Sequence, residues 1–169
     1  MNARHGVPTT KRRLVFAFTG LLAVAGLAWV LFGKLALQPP GSHALRPTDA
    51  RTVALGREVY QARCAACHGA QLQGQPNWRA RGPDGLLPAP PHDASGHTWH
   101  HRDELLFRIT KFGVAKAANL ENYATAMPAF EGVLSDDEIV AALSWIKSRW
   151  PDDVRARHDK FNEQAPQVP

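Results

Sequence analysis

The sequence predicts an all-α domain at residues 48–150, preceded by a single transmembrane helix. Three observations carry that prediction. After residue 48, apolar side chains recur at helical three- and four-residue intervals in three separate stretches. No stretch shows the apolar–polar alternation of a half-buried strand. Near the N-terminus, Leu14 to Gly33 runs without a charge. As a helix rising 1.5 Å per residue it spans about 30 Å, the thickness of a bilayer's hydrocarbon core.

Taken in order, residues 1–13 form a basic N-terminus with Arg4, Lys11, Arg12 and Arg13. Charge on that side of the span places it in the cytoplasm and the remainder of the chain outside. Residues 14–37 read as an uncleaved signal-anchor, with Trp29 and Lys34 toward the far interface. Ala23-Val24-Ala25 resembles a signal-peptidase site, yet the apolar run continues past it. No cysteine stands directly after the run to take a lipid. Residues 38–47, with Pro39, Pro40, Gly41, Ser42 and Pro47, read as a linker. Fully extended it reaches at most roughly 35 Å, so the domain stays near the membrane surface.

The first helix of the domain is expected over Thr48–Arg63, capped by Thr48 or Asp49. Val53, Gly56, Val59 or Tyr60, and Arg63 fall on one stripe. Gly69 to Pro91 is rich in Gly, Pro and Asn and reads as loop. A second helix is expected near Arg102–Phe112, with Leu105, Leu106, Ile109 and Phe112 inward and Gly113 as its stop. Ser135-Asp136-Asp137-Glu138 has the form of a capping box. The helix it opens should run to about Trp150, bury Ile139, Leu143 and Ile146, and end at Pro151. Residues 151–169 read as a loosely ordered polar tail. No internal repeat is visible.

The formal net charge is +5. Arg4, Lys11, Arg12, Arg13 and Lys34 account for all of it, and from residue 41 onward acids and bases balance. The basic character therefore belongs to the membrane-flanking segment, and no nucleic-acid surface is indicated. The chain's 2 cysteines are too few for a disulfide scaffold or a four-cysteine zinc site.

Those cysteines stand in Cys64-Ala65-Ala66-Cys67-His68, the C-x-x-C-H pattern of c-type haem attachment. Two thiols three positions apart at a helix end reach carbons on one edge of the porphyrin, and the next residue is placed under the iron. His68 then supplies the proximal nitrogen. A thioredoxin-like C-x-x-C would accompany a βαβ pattern, which is missing. Beyond the initiator the chain has a single methionine, Met127, followed by Pro128. Its thioether is the candidate sixth ligand, and His/Met ligation raises a haem's reduction potential. The alternative is a methionine filling a gap in the core.

Gly56-x-x-x-Tyr60-x-x-x-Cys64-Ala-Ala-Cys-His68-Gly69, then Met127-Pro128-Ala129-Phe130, then Leu134-Ser-Asp-Asp-Glu138 with Trp145 in the helix that follows, resembles a class I monohaem cytochrome c over roughly residues 48–150. The resemblance implies a helical domain around one covalent haem c, held by Cys64 and Cys67, with His68 and Met127 as axial iron ligands. It implies close crossing of the first and last helices at Gly56 and an aromatic role for Trp145. It also implies a proline carbonyl on the second ring nitrogen of His68, from among Pro88, Pro90 and Pro91, with Pro90 preferred. The expected function is one-electron transfer rather than enzymatic turnover, with redox protein partners in or near the membrane. The expected location is the cytoplasmic membrane, single-pass, with the domain facing the periplasm or cell exterior. The alternative is a haem-bearing subunit of an oxidoreductase.

One segment departs from that pattern. His92, His97, His100 and His101 supply half of the chain's 8 histidines. Imidazole is a common metal ligand, so a second site, copper for example, is one reading. The favoured reading is a helix entry, with Thr98 as cap, Trp99 packed on the domain, and histidines facing water or hydrogen-bonding haem propionates.

Overall fold

The computed structural model describes residues 43–164. The predicted membrane span at 14–37 lies outside them. Among the described residues no helix is long and apolar enough to cross a membrane. These residues form six α-helices and one 3-10 turn, with no strand among them. The helices are α1 (Ala50–Arg63), α2 (Ala65–His68), α3 (Asp103–Phe112), α4 (Val114–Ala117), α5 (Asp136–Ser148) and α6 (Asp152–Glu163), with the 3-10 turn at Thr98–His100.

Asp49, not Thr48, caps α1: its carboxylate accepts from the Thr52 amide at 2.6 Å. Thr52, Gly56, Val59 and Tyr60 form the buried face. The expected stripe breaks at Arg63, which is exposed. It shares the rim of a surface groove with Glu138, where its charge stays hydrated.

The capping box of α5 is complete. Ser135 Oγ accepts from the Glu138 amide at 3.3 Å, and Glu138 Oε2 accepts from the Ser135 amide at 2.8 Å. From Ile139 to Lys147 every residue of α5 is buried, so it is the central helix and not a one-faced one. It ends at Ser148, slightly short of the predicted Trp150, with Pro151 beyond. Helices α1 and α5 cross at Gly56. A β-carbon there would lie 1.9 Å from the Ala141 carbonyl oxygen and 2.9 Å from Trp145 Cβ, so only glycine permits this approach. One turn on, the Tyr60 and Trp145 rings pack with centroids 4.6 Å apart.

Helix α3 covers nearly the predicted span, and Gly113 follows its last residue. Its most buried side chains are Leu106 and Phe107. Phe107 was absent from the predicted face, while Leu105, Ile109 and Phe112 are half-buried. The shift follows from His43, whose ring stacks on Phe107 at 3.4 Å between centroids.

Two expectations are corrected at the domain's ends. The linker assigned to 38–47 does not run free beyond residue 42. Leu45 is buried and its amide donates to Asp103 Oδ2 at 2.8 Å, and the Arg46 amide donates to Ser144 Oγ at 2.9 Å. The polar tail assigned to 151–169 is helical through Glu163. Its polarity misled because its anchors are themselves polar. Lys147, 3% exposed, pairs with Asp159 at 2.6 Å. Fully buried His158 donates from Nε2 to the His101 carbonyl at 2.9 Å, and the Asp103 amide donates to Asn162 Oδ1 at 2.9 Å. Val154 and Trp150 supply the apolar contact.

Candidate functional site

The site begins where α1 ends. The Cys64 amide donates to the Tyr60 carbonyl at 2.9 Å, closing the helix. The chain then tightens into the single turn of α2, in which the His68 amide donates to the Cys64 carbonyl at 2.9 Å. This fold-back sets Cys64 and Cys67 on one turn with His68 directly after them. Cys64 is half-buried and Cys67 is exposed, and both thiols are free. Burial, with Cys67 adding to it, pushes the Cys64 thiol up to about 11. Fully buried Tyr60 secures the turn from below, its hydroxyl donating to the Gly69 carbonyl at 2.8 Å.

The His68 side chain is buried, and one ring nitrogen is committed. Nδ1 lies 2.9 Å from the Pro90 carbonyl oxygen. A carbonyl only accepts, so Nδ1 carries the proton and Nε2 keeps its lone pair. Of the three candidate prolines, Pro90 is the one that makes this contact. The loop is brought back by local bonds. The Gln75 amide donates to the Ala89 carbonyl at 2.9 Å, the His92 amide donates to the Leu72 carbonyl at 2.8 Å, and the Gly74 amide donates to the His68 carbonyl at 2.8 Å. Gly74 sits at φ +66°, and a β-carbon on it would lie 2.4 Å from the Pro91 nitrogen. Only glycine lets the two backbone segments approach that closely. Burial lowers the His68 pKa, partly opposed by the Pro90 hydrogen bond.

Met127 lies on the loop between α4 and α5 and is half-buried. It packs against the same apolar cluster as Cys64 and Ala65. Its amide donates to Thr125 Oγ1 at 3.1 Å. Just beyond it the loop is pinned to the end of α3: the Phe130 amide donates to the Thr110 carbonyl at 3.1 Å and the Glu131 amide to the Lys111 carbonyl at 2.8 Å.

The four histidines do not converge. Among the described residues no group of three or more His, Cys, Asp or Glu side chains is arranged to hold a metal. His92 is engaged elsewhere: its Nδ1 meets Thr98 Oγ1 at 2.8 Å, and its ring stacks on His68 with centroids 4.1 Å apart. Burial, then the neighbouring His68 and His97, hold its pKa well below the ordinary value. His97 and His101 approach edge to face at 5.3 Å, with Trp78 stacked on His97. His100 stacks instead on Trp99, at 3.7 Å. Thr98 is therefore not a helix cap. It lies inside the 3-10 turn, and Arg102 occupies the N-cap of α3. Trp99 packs against the core as expected.

Residues 51–146 match the family model described as cytochrome C oxidase, cbb3-type, subunit III. Cytochrome c6 of Tetradesmus obliquus is 32% identical over 95 residues, which is 56% of this chain and 86% of that protein. The chain belongs to the cytochrome c family. No solved structure matches it. Membership makes this cytochrome an electron carrier with covalently bound haem c, and not an enzyme.

The sequence missed the placement of His92 against His68. The available signal was its position two residues after Pro90, but nothing in the local pattern says which ring a loop histidine will meet.

Proposed function

We propose that Cys64 and Cys67 hold the haem through thioether bonds, that His68 Nε2 and the Met127 sulfur are its axial ligands, and that the chain exchanges single electrons with redox proteins at the outer face of the cytoplasmic membrane, anchored by residues 14–37. The observation that carries the ligand assignment is the His68 Nδ1 contact to the Pro90 carbonyl, which presents Nε2 as a free, oriented donor. The donor set fits the group: two free thiols and a buried imidazole on one turn, with a thioether on the same apolar cluster. When bound, the haem iron supplies the one-electron ferric/ferrous couple.

The chain's own residues set the conditions for that couple. Pro90 holds one nitrogen of the His68 ring, and Tyr60 ties down the backbone directly after it through the Gly69 carbonyl. Met127 is half-buried, and as a ligand its thioether would favour the reduced state. The exposed side of the C-x-x-C-H turn at Cys67 offers an edge for electron exchange. Tethering raises the local concentration at membrane partners, which suits a domain whose own charges balance. The family model's description as an oxidase subunit supports a terminal oxidase as partner, or as the assembly that contains the chain.

Met127→Leu tests the ligand set, because leucine keeps the volume and removes the sulfur. The expected result is a lower reduction potential with an altered ferric spectrum. An unchanged potential and spectrum would remove methionine from the ligand set.

A further inference from the structure

We infer that His92 is a positioning residue: its ring, stacked on the face of His68, fixes the plane of the axial imidazole and favours the ferric state. The inference rests on His68 being an axial ligand. The Pro90 carbonyl alone fixes one point on the His68 ring, its Nδ1–H. A single hydrogen bond leaves the ring able to rock about that contact. His92 removes this freedom, lying 4.1 Å away between centroids at an interplanar angle of 23°.

His92 is itself firmly held. Its amide donates to the Leu72 carbonyl at 2.8 Å, and its carbonyl accepts from Trp150 Nε1 at 2.7 Å. Its Nδ1 is paired with the buried Thr98 hydroxyl at 2.8 Å. The edge of Tyr60 closes the side, at 6.4 Å between centroids. These bonds come from the α2 loop, the 3-10 turn and the segment joining α5 to α6. The ring that touches the ligand is thus tied to three separate parts of the domain.

Stacking also has an electronic consequence. Oxidation to ferric iron makes an axial imidazole more positive. An uncharged aromatic ring presents its electron-rich face to that charge and stabilises it, as in a cation–π contact. An aliphatic side chain in the same place lacks this effect.

The test compares full-length, haem-loaded wild type with His92→Leu, His92→Phe and Thr98→Val. Two readouts are taken: the reduction potential, and the paramagnetic NMR shifts of the ferric haem methyls, which report the axial imidazole plane. His92→Leu is expected to shift the ferric/ferrous equilibrium about threefold to tenfold toward ferrous. That is roughly 30 to 60 mV upward at 59 mV per tenfold for one electron. Its methyl shift pattern is expected to change. His92→Phe keeps a stacked ring and is expected to stay near the wild-type potential. Thr98→Val frees the His92 ring and is expected to move the methyl shifts in the same sense as His92→Leu, with a smaller change in potential. If His92→Leu does not fold, Phe and Val carry the comparison: a potential far from wild type in Phe, or unmoved methyl shifts in Val, overturns the inference. Unchanged potential and shifts in His92→Leu, or equal displacement of Leu and Phe, also overturn it. Failure of the ligand assignment is seen separately, as a wild-type ferric spectrum without an imidazole ligand.

Discussion

Replacing Gly56 by alanine adds one methyl group at the tightest point of the domain. The new carbon would stand 1.9 Å from the Ala141 carbonyl oxygen, 2.5 Å from its carbon and 2.9 Å from Trp145 Cβ. Two of those three atoms are backbone, so no rotamer change relieves the clash. Helices α1 and α5 must separate by roughly 1.5 Å to restore ordinary contact distances of about 3.5 Å. Overpacking in a core costs about 1–3 kcal/mol, and a backbone collision belongs at the upper end. Alanine's helix propensity returns about 1 kcal/mol. The separation also loosens the Tyr60–Trp145 pair, worth about 1 kcal/mol beyond its area. The net expectation is a loss of about 2–3 kcal/mol. With a urea slope near 1.5 kcal/mol per molar, the midpoint should fall by about 1–2 M. The assay is urea unfolding of the haem-loaded protein followed by far-UV circular dichroism and haem absorbance. A midpoint within about 0.3 M of wild type would refute the close-crossing argument.

Other consequences follow from particular groups. Ser135→Ala removes the cap that satisfies the first turn of α5 and should cost about 1 kcal/mol, read as a lower urea midpoint with an unchanged haem spectrum. His158 is fully buried, and its pKa is lowered, first by burial and then by Lys147, against the opposing His101 carbonyl, Asp103 and Asp159. The unfolded chain therefore binds a proton there more readily than the folded one. Stability from this group is present above about pH 6.5 and is lost as pH falls from there through the lower folded value. His158→Gln should flatten part of the fall in urea midpoint between pH 7 and pH 5; an identical pH dependence in the variant would contradict the assignment. The proposed anchor predicts that the mature protein stays in membranes after high-salt and alkaline washing. An N-terminus beginning beyond Ala23 would show cleavage instead.

Features governed by near neighbours in sequence were legible. The Ser135–Glu138 box and the Gly113 stop each depend on a few adjacent residues, and each formed as read; the C-x-x-C-H residues share one short turn just beyond α1. Gly56 and the Pro90 carbonyl were legible only through the family resemblance, because the crossing and the returning loop are long-range. What stayed hidden was decided by polar groups choosing distant partners. Helix α6 reads as a solvated tail until Lys147, Asp103 and the His101 carbonyl are brought to Asp159, Asn162 and His158. Pro151 before it, Asp152 and Asp153 in its first turn and Lys160 in its last were usable start and stop signals. In the histidine segment the favoured helix-entry reading missed the stacking partners and the position of Thr98 for a related reason. Four imidazoles close in sequence invite a shared metal, but an aromatic ring stacks as readily as it ligates, and three of these rings found aromatic neighbours apart from the cluster: His68, Trp78 and Trp99.

The central claim is that Cys64 and Cys67 bind haem covalently, and intact-mass spectrometry of the denatured protein tests it most directly. Thioether bonds survive unfolding, whereas ligation and packing do not. The expected result is a single species heavier than the polypeptide by one haem, with Cys64→Ala/Cys67→Ala at the bare polypeptide mass. A coloured native protein whose denatured wild-type chain shows only the polypeptide mass would contradict the account.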